Sequence, residues 1–150
     1  LWTLPLDGSE EPSPFLASSF NEAFASFSPD GRWMAYASDE SGGWEIYVTR
    51  FPDKGSKLRI STGGGLNPVW HPEGGKIVYQ TDNGSIMRVD VRPDGDSLTV
   101  GTPELYVQQA TDPGSGLGLA GEHVLAISGV PEGGASALTL VTGWRPEAGR

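Results

Sequence analysis

Apolar residues alternate with polar or small ones over short runs, as in Trp33-Met34-Ala35-Tyr36-Ala37, Trp44-Glu45-Ile46-Tyr47-Val48 and Ile77-Val78-Tyr79-Gln80. A period of two sends successive side chains to opposite faces of a strand, so these runs predict strands. No window of helical length keeps an i, i+3, i+4, i+7 apolar stripe free of Gly and Pro, and the chain reads as all-β. Between the runs stand Ser28-Pro29-Asp30-Gly31, Asp39-Glu40-Ser41-Gly42-Gly43, Pro72-Glu73-Gly74-Gly75 and Asp82-Asn83-Gly84-Ser85. Pro presets φ, and Gly or Asn tolerates positive φ, which makes each of these a turn. Asn83-Gly84 predicts a type I′ hairpin, whose two central positions both need positive φ.

The pattern repeats. Phe27-Ser28-Pro29-Asp30-Gly31 followed by Met34-Ala35-Tyr36 returns as Trp70-His71-Pro72-Glu73-Gly74 followed by Ile77-Val78-Tyr79, with every position moved by 43. Repeats of that period are the mark of stacked or radially arranged units, β-propeller blades among them. The turns divide one unit into strands at Ala23 to Phe27, Trp33 to Ser38, Trp44 to Phe51 and Lys57 to Ser61. The next unit has strands at Leu66 to Trp70, Lys76 to Thr81, Ser85 to Val91 and Leu98 to Val107, the last broken at Gly101-Thr102-Pro103. Leu1 to Leu4 and Ser13 to Ala17 read as the third and fourth strands of an earlier unit. Glu122 to Ile127 and Ala137 to Val141 read as the second and third strands of a degenerate later one, whose Pro-Asp-Gly has become Leu119-Ala120-Gly121. The expected units are 1–19 (incomplete), 20–62, 63–107 and 108–150 (degenerate and incomplete). Gln108 to Gly121 aligns with no part of the repeat.

At these residues the chain resembles the bacterial PD40, or TolB-like (WD40-like), propeller repeat. That unit runs as a strand into Ser-Pro-Asp-Gly, a strand ending in Ser-Asp, a short turn, and a strand of the Glu-Ile-Tyr-Val type; Phe27 to Val48 follows it nearly throughout. More narrowly, Leu1 to Gly8, Phe20 to Gly65, Ser85 to Val91 and Leu138 to Trp144 resemble the C-terminal propeller segment of bacterial proteins that carry a Ser/Thr kinase domain ahead of it. The second unit departs from the pattern at His71 and Glu73. The resemblance implies a ring of about six to eight blades, whereas 150 residues at this step supply about three and a half. The expected fold is therefore an all-β partial β-propeller of four-stranded antiparallel blades, two full ones flanked by incomplete ones. It is expected to be the C-terminal part of a longer propeller; the alternative is self-association, with the incomplete blades of two copies completing one another.

Composition narrows the partners. Ten basic against nineteen acidic residues give a net charge of −9, which repels a phosphate backbone, so nucleic acid and anionic membrane surfaces are not expected partners. Gly and Pro are numerous (22 and 12), yet 37 % hydrophobic residues with five Trp, four Tyr and five Phe fit a folded, turn-dense protein. The absence of Cys removes disulfides and thiolate metal sites and fits cytoplasm and periplasm alike; the family resemblance favours an extracytoplasmic place. No stretch is long and apolar enough to predict membrane insertion. Leu1 in place of an initiator Met reads as a processed or partial chain.

Candidate chemistry is sparse. Gly116-Leu117-Gly118-Leu119-Ala120-Gly121 matches G-x-G-x-x-G, but Gln108 to Pro113 is no strand and no helix follows, so it reads as a glycine loop and not as a dinucleotide site. No Val-Ala-Ile-Lys, His-Arg-Asp or Asp-Phe-Gly element of a kinase is present, and Ser115 and Ser136 lie in no G-x-S-x-G elbow. His71 and His123 are the only histidines, 52 positions apart and without metal-ligand spacing. Asp90, Asp94 and Asp96 miss the calcium-loop pattern and read as a solvated turn. Trp33, Trp44, Trp70 and Trp144 read as filling between blades more than as an aromatic recognition surface. No catalytic residue, cofactor or metal is expected.

By the blade pattern, Asn21-Glu22 and Leu66-Asn67 precede or open inner strands near the mouth of the central channel. Asn21, Glu22, Asn67 and His71 are the candidate partner-binding residues, His71 occupying the turn position that Ser28 holds one unit earlier. The expected role is a non-catalytic module that binds a protein or peptide, or senses a ligand. The alternatives are a regulatory segment of a Ser/Thr kinase or peptidase, and a free-standing protein completed by homodimerisation.

Overall fold

The computed structural model describes residues 1–55, 57–108, 112, 115–121 and 123–126, and every regular element in them is a β-strand. β1 (Trp2–Thr3) pairs with β2 (Ser13–Pro14). β3 (Glu22–Phe27), β4 (Trp33–Ser38), β5 (Glu45–Arg50) and β6 (Leu58–Arg59) follow as a four-stranded antiparallel sheet in chain order. The next sheet repeats that order with β7 (Leu66–Trp70), β8 (Lys76–Gln80) and β9 (Ile86–Asp94). Its fourth strand is split into β10 (Ser97–Val100) and β11 (Glu104–Val107), both paired with β9 on either side of the Gly101-Thr102-Pro103 break. β12 (Leu117–Ala120) and β13 (His123–Ala126) form a final hairpin. The molecule is an all-β partial propeller, two full blades flanked by incomplete ones. The strand expected at Ala137 to Val141 lies outside the described residues, as do Ser136 and Trp144.

Stacking of sheets holds the blades together. All six residues of β4 are buried, because the strand is covered on both faces. Trp33, Ala35 and Ala37 on one face join Ile46, Val48 and Ile60 against Trp70, Ile77, Tyr79, Val89 and Val91 of the next blade. Met34 and Tyr36 on the other face pack with Tyr47 and Phe15, with Leu1, Leu16 and Phe51 around them. Each large apolar side chain so buried contributes about 1.5–3 kcal/mol. A polar contact crosses the same interface: Trp70 Nε1 donates to the Ser26 carbonyl at 3.2 Å. Trp33 and Trp70 thus fill between blades, with Trp44 partly buried beside them.

The turns share one device. In Ser28 to Gly31 the Gly31 amide donates to the Ser28 carbonyl at 2.9 Å and Gly31 has φ +69°. Gly74 repeats this on His71 (2.8 Å, φ +74°), and Gly42 on Asp39 (2.9 Å, φ +92°). Asn83-Gly84 belongs to the same class and corrects the expected type I′ turn. The Gly84 amide donates to Thr81 at 2.9 Å, Gly84 has φ +78°, and Asn83 does not have positive φ. A three-residue loop closed by one left-handed Gly suits the strand twist as a two-residue I′ loop would. A second correction concerns the supposed glycine loop: Leu117–Ala120 is a strand, paired from Leu117↔Ala126 to Ala120↔His123, with Gly121 in the turn that follows it. Small glycines at alternate positions hid its period.

Both inner strands carry a bulge at the same repeat position. Pairing of β3 with β4 slips between Ala23 and Ser26, and that of β7 with β8 between Leu66 and Val69. Phe24 and Asn67, one repeat apart, sit there with φ +56° and +49°. Asn accepts the left-handed region readily, whereas for a bulky Phe it is strained. Pro68 follows Asn67 inside the bulge, a place in a sheet where a residue without an N–H is tolerated.

The crossing from β6 to β7 is the tightest point. The Gly65 amide donates to the Trp44 carbonyl at 2.8 Å, and a Cβ on Gly65 would lie 2.6 Å from Ile46 Cγ1 and 2.8 Å from Ser61 Oγ. Gly65→Ala is expected to destabilise the fold by about 1–3 kcal/mol in urea unfolding. Gly63→Ala, where nothing lies within 4 Å of the added carbon, serves as the near-neutral comparison. Phe24→Asn, by relieving the left-handed strain, is expected to stabilise by about 1 kcal/mol in the same measurement; a loss of stability would show that Phe24 is not strained.

Candidate functional site

The inner strands β3, β7 and β12 stand side by side and enclose an open cleft of about 340 Å³. Phe24 and Ser26 line it from β3, Asn67, Pro68 and Val69 from β7, and Leu117 from β12. The two bulges shape its floor, since each turns a residue out of the ladder, Phe24 outward and Asn67 inward. Phe24 keeps 43 % of its surface exposed there. The cleft is thus a mixed surface, with Phe24, Pro68, Val69 and Leu117 beside Ser26 and Asn67. Among the described residues, no group of three or more His, Asp or Glu is disposed to hold a metal ion.

The predicted residues fall at three places. Asn21 and Glu22 lie together at the rim where β3 begins. The Asn21 amide donates to Asp39 Oδ1 at 2.9 Å and its Nδ2 to Asp39 Oδ2 at 2.6 Å, while Glu22 accepts from Ser18 Oγ. The side-chain and backbone bonds from Asn21 hold the Asp39 carboxyl below its ordinary value of 3.8, so this rim stays anionic at neutral pH. The same corner recurs one repeat on, where Gly64 stands for Asn21 and lies against the Asp82 carboxylate. Glu22, Asp39 and Asp82 therefore mark one end of the inner strands with negative charge.

Asn67 sits deeper. Its Nδ2 donates to Gln80 Oε1 at 2.8 Å and to the Ser115 carbonyl at 2.6 Å, and Gln80 Nε2 reaches Ser115 Oγ at 3.2 Å. This partly buried network ties the approach to β12 onto β7 and β8. His71 lies at the opposite end of β7, 6 % exposed, in the turn position held by Ser28 in the first blade. Its amide donates to the Lys76 carbonyl at 2.9 Å as that of Ser28 does to Trp33 at 2.8 Å, and its Nδ1 accepts from the Glu73 amide at 3.2 Å. The structure therefore brings Asn21 and Glu22 together, places Asn67 in the cleft wall with its side-chain amide bonded to Gln80 and Ser115, and puts His71 at the far end of the strand. Among the remaining motifs, Asp96 pairs with Arg50, Asp94 pairs in register with Ser97 across the Gly95 turn, and His123 Nδ1 lies 3.2 Å from the Ala120 carbonyl at the base of the last hairpin.

Sequence reasoning missed Phe24 and Leu117. The signal for Phe24 was present in the repeat step that links it to Asn67, together with Pro68 inside a strand, which marks a bulge. Leu117 was hidden by the glycines around it.

No protein-family model and no curated protein matches the chain. Solved structures do. A protein assigned as TolB from Agrobacterium tumefaciens superposes with a TM-score of 0.50 at 21 % identity over 72 % of this chain and 42 % of its own length. TolB from Acinetobacter baumannii superposes with a TM-score of 0.56 at 21 % identity over 82 % of this chain and 30 % of its own length. The chain thus spans less than half the length of either neighbour. Both carry the TolB description and not the kinase-associated one that the sequence also resembles. At this identity the likeness speaks for the fold alone, and the fold of this chain is that of part of a β-propeller.

Proposed function

We propose that the chain is a non-catalytic, protein-binding propeller module whose partner is an extended, basic polypeptide segment received at the acidic end of the inner strands. The observation that carries this reading is the cleft shared by β3, β7 and β12, with exposed Phe24 on its wall, together with the acidic residues Glu22, Asp39 and Asp82 near the end of the sheets where β3 begins. Exposed aromatic and aliphatic side chains bordered by polar and charged groups are the usual anatomy of a polypeptide docking surface. Asn21 holds Asp39 in place, and Asn67 and His71 shape the strand from behind, so these three act by positioning. The TolB likeness supports a propeller surface of this kind and leaves the partner open.

A random-peptide phage library panned against the immobilised 150-residue protein tests the reading. Enriched peptides are expected to carry Lys or Arg and to bind more weakly as salt rises. Their affinity is expected to fall about tenfold, about 1.4 kcal/mol, in Glu22→Lys and Phe24→Ser proteins, and to be unchanged in Leu105→Ser on the distant outer strand. Peptides that bind all four proteins alike would overturn it.

A further inference from the structure

An asparagine side chain is lost as ammonia when the main-chain nitrogen of the next residue attacks its Cγ, and the bulk of that next residue governs how readily this happens. The chain has three asparagines. Asn21 precedes Glu22, whose side chain crowds the approach, and Asn67 precedes Pro68, whose nitrogen has no proton to lose. Asn83 precedes Gly84, the least hindered nucleophile a peptide chain offers. It is also exposed, in the turn between β8 and β9. By sequence alone, Asn83 is the reactive asparagine of this protein.

The fold engages each group that the reaction needs. Gly84 is buried, and its amide donates to the Thr81 carbonyl at 2.9 Å, so the proton that must leave is held by an acceptor. Asn83 Oδ1 accepts from the Ser85 amide at 3.0 Å and from Thr81 Oγ1 at 2.7 Å, and presenting Cγ to Gly84 would break both bonds. An Asn oxygen bonded to the amide two residues on is a common turn-stabilising device. The first blade uses the same arrangement with an acid in it. There the Gly31 amide donates to the Ser28 carbonyl at 2.9 Å, and Asp30 Oδ1 accepts from the Arg32 amide at 3.1 Å and from Ser28 Oγ at 2.6 Å. Ser28 to Arg32 and Thr81 to Ser85 are thus one motif, and Asp30 shows that a carboxylate fits where Asn83 has its amide.

We propose that Asn83 is a deamidation site governed by the fold, shut while the β8–β9 turn keeps its hydrogen bonds and reactive once the turn opens. On opening, the Gly84 nitrogen gives up its proton and bonds to Asn83 Cγ, the Cγ–Nδ2 bond breaks, and Nδ2 leaves with that proton as ammonia. Water then adds across one of the two imide C–N bonds of the succinimide, leaving either aspartate or isoaspartate at that position. Water is the sole co-reactant, and nothing is oxidised or reduced. The aspartate form can re-enter the turn as Asp30 does, whereas isoaspartate adds a methylene to the main chain and breaks the register. Either product carries a new negative charge, a permanent mark of time spent with the turn open.

The test incubates the full chain in mildly alkaline buffer, folded and in urea, and follows acid formation by mass spectrometry in the tryptic peptide Ile77 to Arg88. Conversion is expected to be at least about tenfold slower in the folded protein, because reaction is confined to the molecules whose turn is open. Thr81→Val keeps the carbonyl that holds the Gly84 amide and removes the hydroxyl bonded to Asn83 Oδ1. It is expected to speed conversion about fivefold in the folded protein and to leave the rate in urea unchanged. Equal rates for the parent protein folded and in urea would overturn the proposal. So would a folded Thr81→Val protein that converts no faster than the folded parent. The readouts are independent of peptide binding at the inner-strand cleft, so failure here leaves the proposed function standing.

Discussion

A sheet with apolar residues on both faces must be sandwiched, and the rest of this structure follows from that requirement. β4 states it most plainly, since alternate residues of one strand belong to two different hydrophobic clusters, Trp33, Ala35 and Ala37 to one and Met34 and Tyr36 to the other. No single four-stranded sheet can bury both sets by itself. Each blade therefore takes its stability from its neighbours, as in other repeat architectures, where interfaces between units contribute as much as the units.

Repetition of the backbone with divergence of side chains assigns the roles within this frame. The left-handed bulge at position 24 recurs at position 67, but the first carries an exposed Phe and the second an Asn that closes a partly buried network with Gln80 and Ser115. One copy of the position displays an aromatic ring to the cleft, and the other fastens the neighbouring strand. The turn at Ser28 recurs at His71 with the same main-chain bonds and a different side-chain cap. In the first blade Ser28 Oγ accepts from the Trp33 amide at 2.9 Å and donates to Asp30 at 2.6 Å; in the second the imidazole accepts from the Glu73 amide instead. The hydrogen bond from Ser28 holds the Asp30 carboxyl below its ordinary value.

Much of this was legible beforehand. Period-two runs and Gly-Pro punctuation located β3 to β9 to within a few residues, and the step of 43 identified the unit that contains them. The break at Gly101-Thr102-Pro103 was also visible, because Pro103 has no N–H to give a ladder. Less legible were β12, whose alternation is blurred by glycines, and the Asn83-Gly84 turn, whose type depends on which residues become opposite partners. The site was legible only in part: Asn21 and Glu22 could be placed at a rim by strand order, but the cleft they border exists only once three inner strands lie side by side.

The sequence by itself determined the local chemistry: which segments are strands, where the chain reverses, how often the unit returns and how acidic the surface is. These depend on alternation, on the φ preferences of Gly, Pro and Asn, and on formal charge, all of which act over a few residues. The tertiary structure decided which face of each strand meets which neighbour and that Asn67 turns inward while Phe24 stays exposed. Those outcomes depend on contacts between residues a whole repeat apart, such as Trp70 on Ser26, and burial at that distance is a property of stacked sheets that no single unit carries.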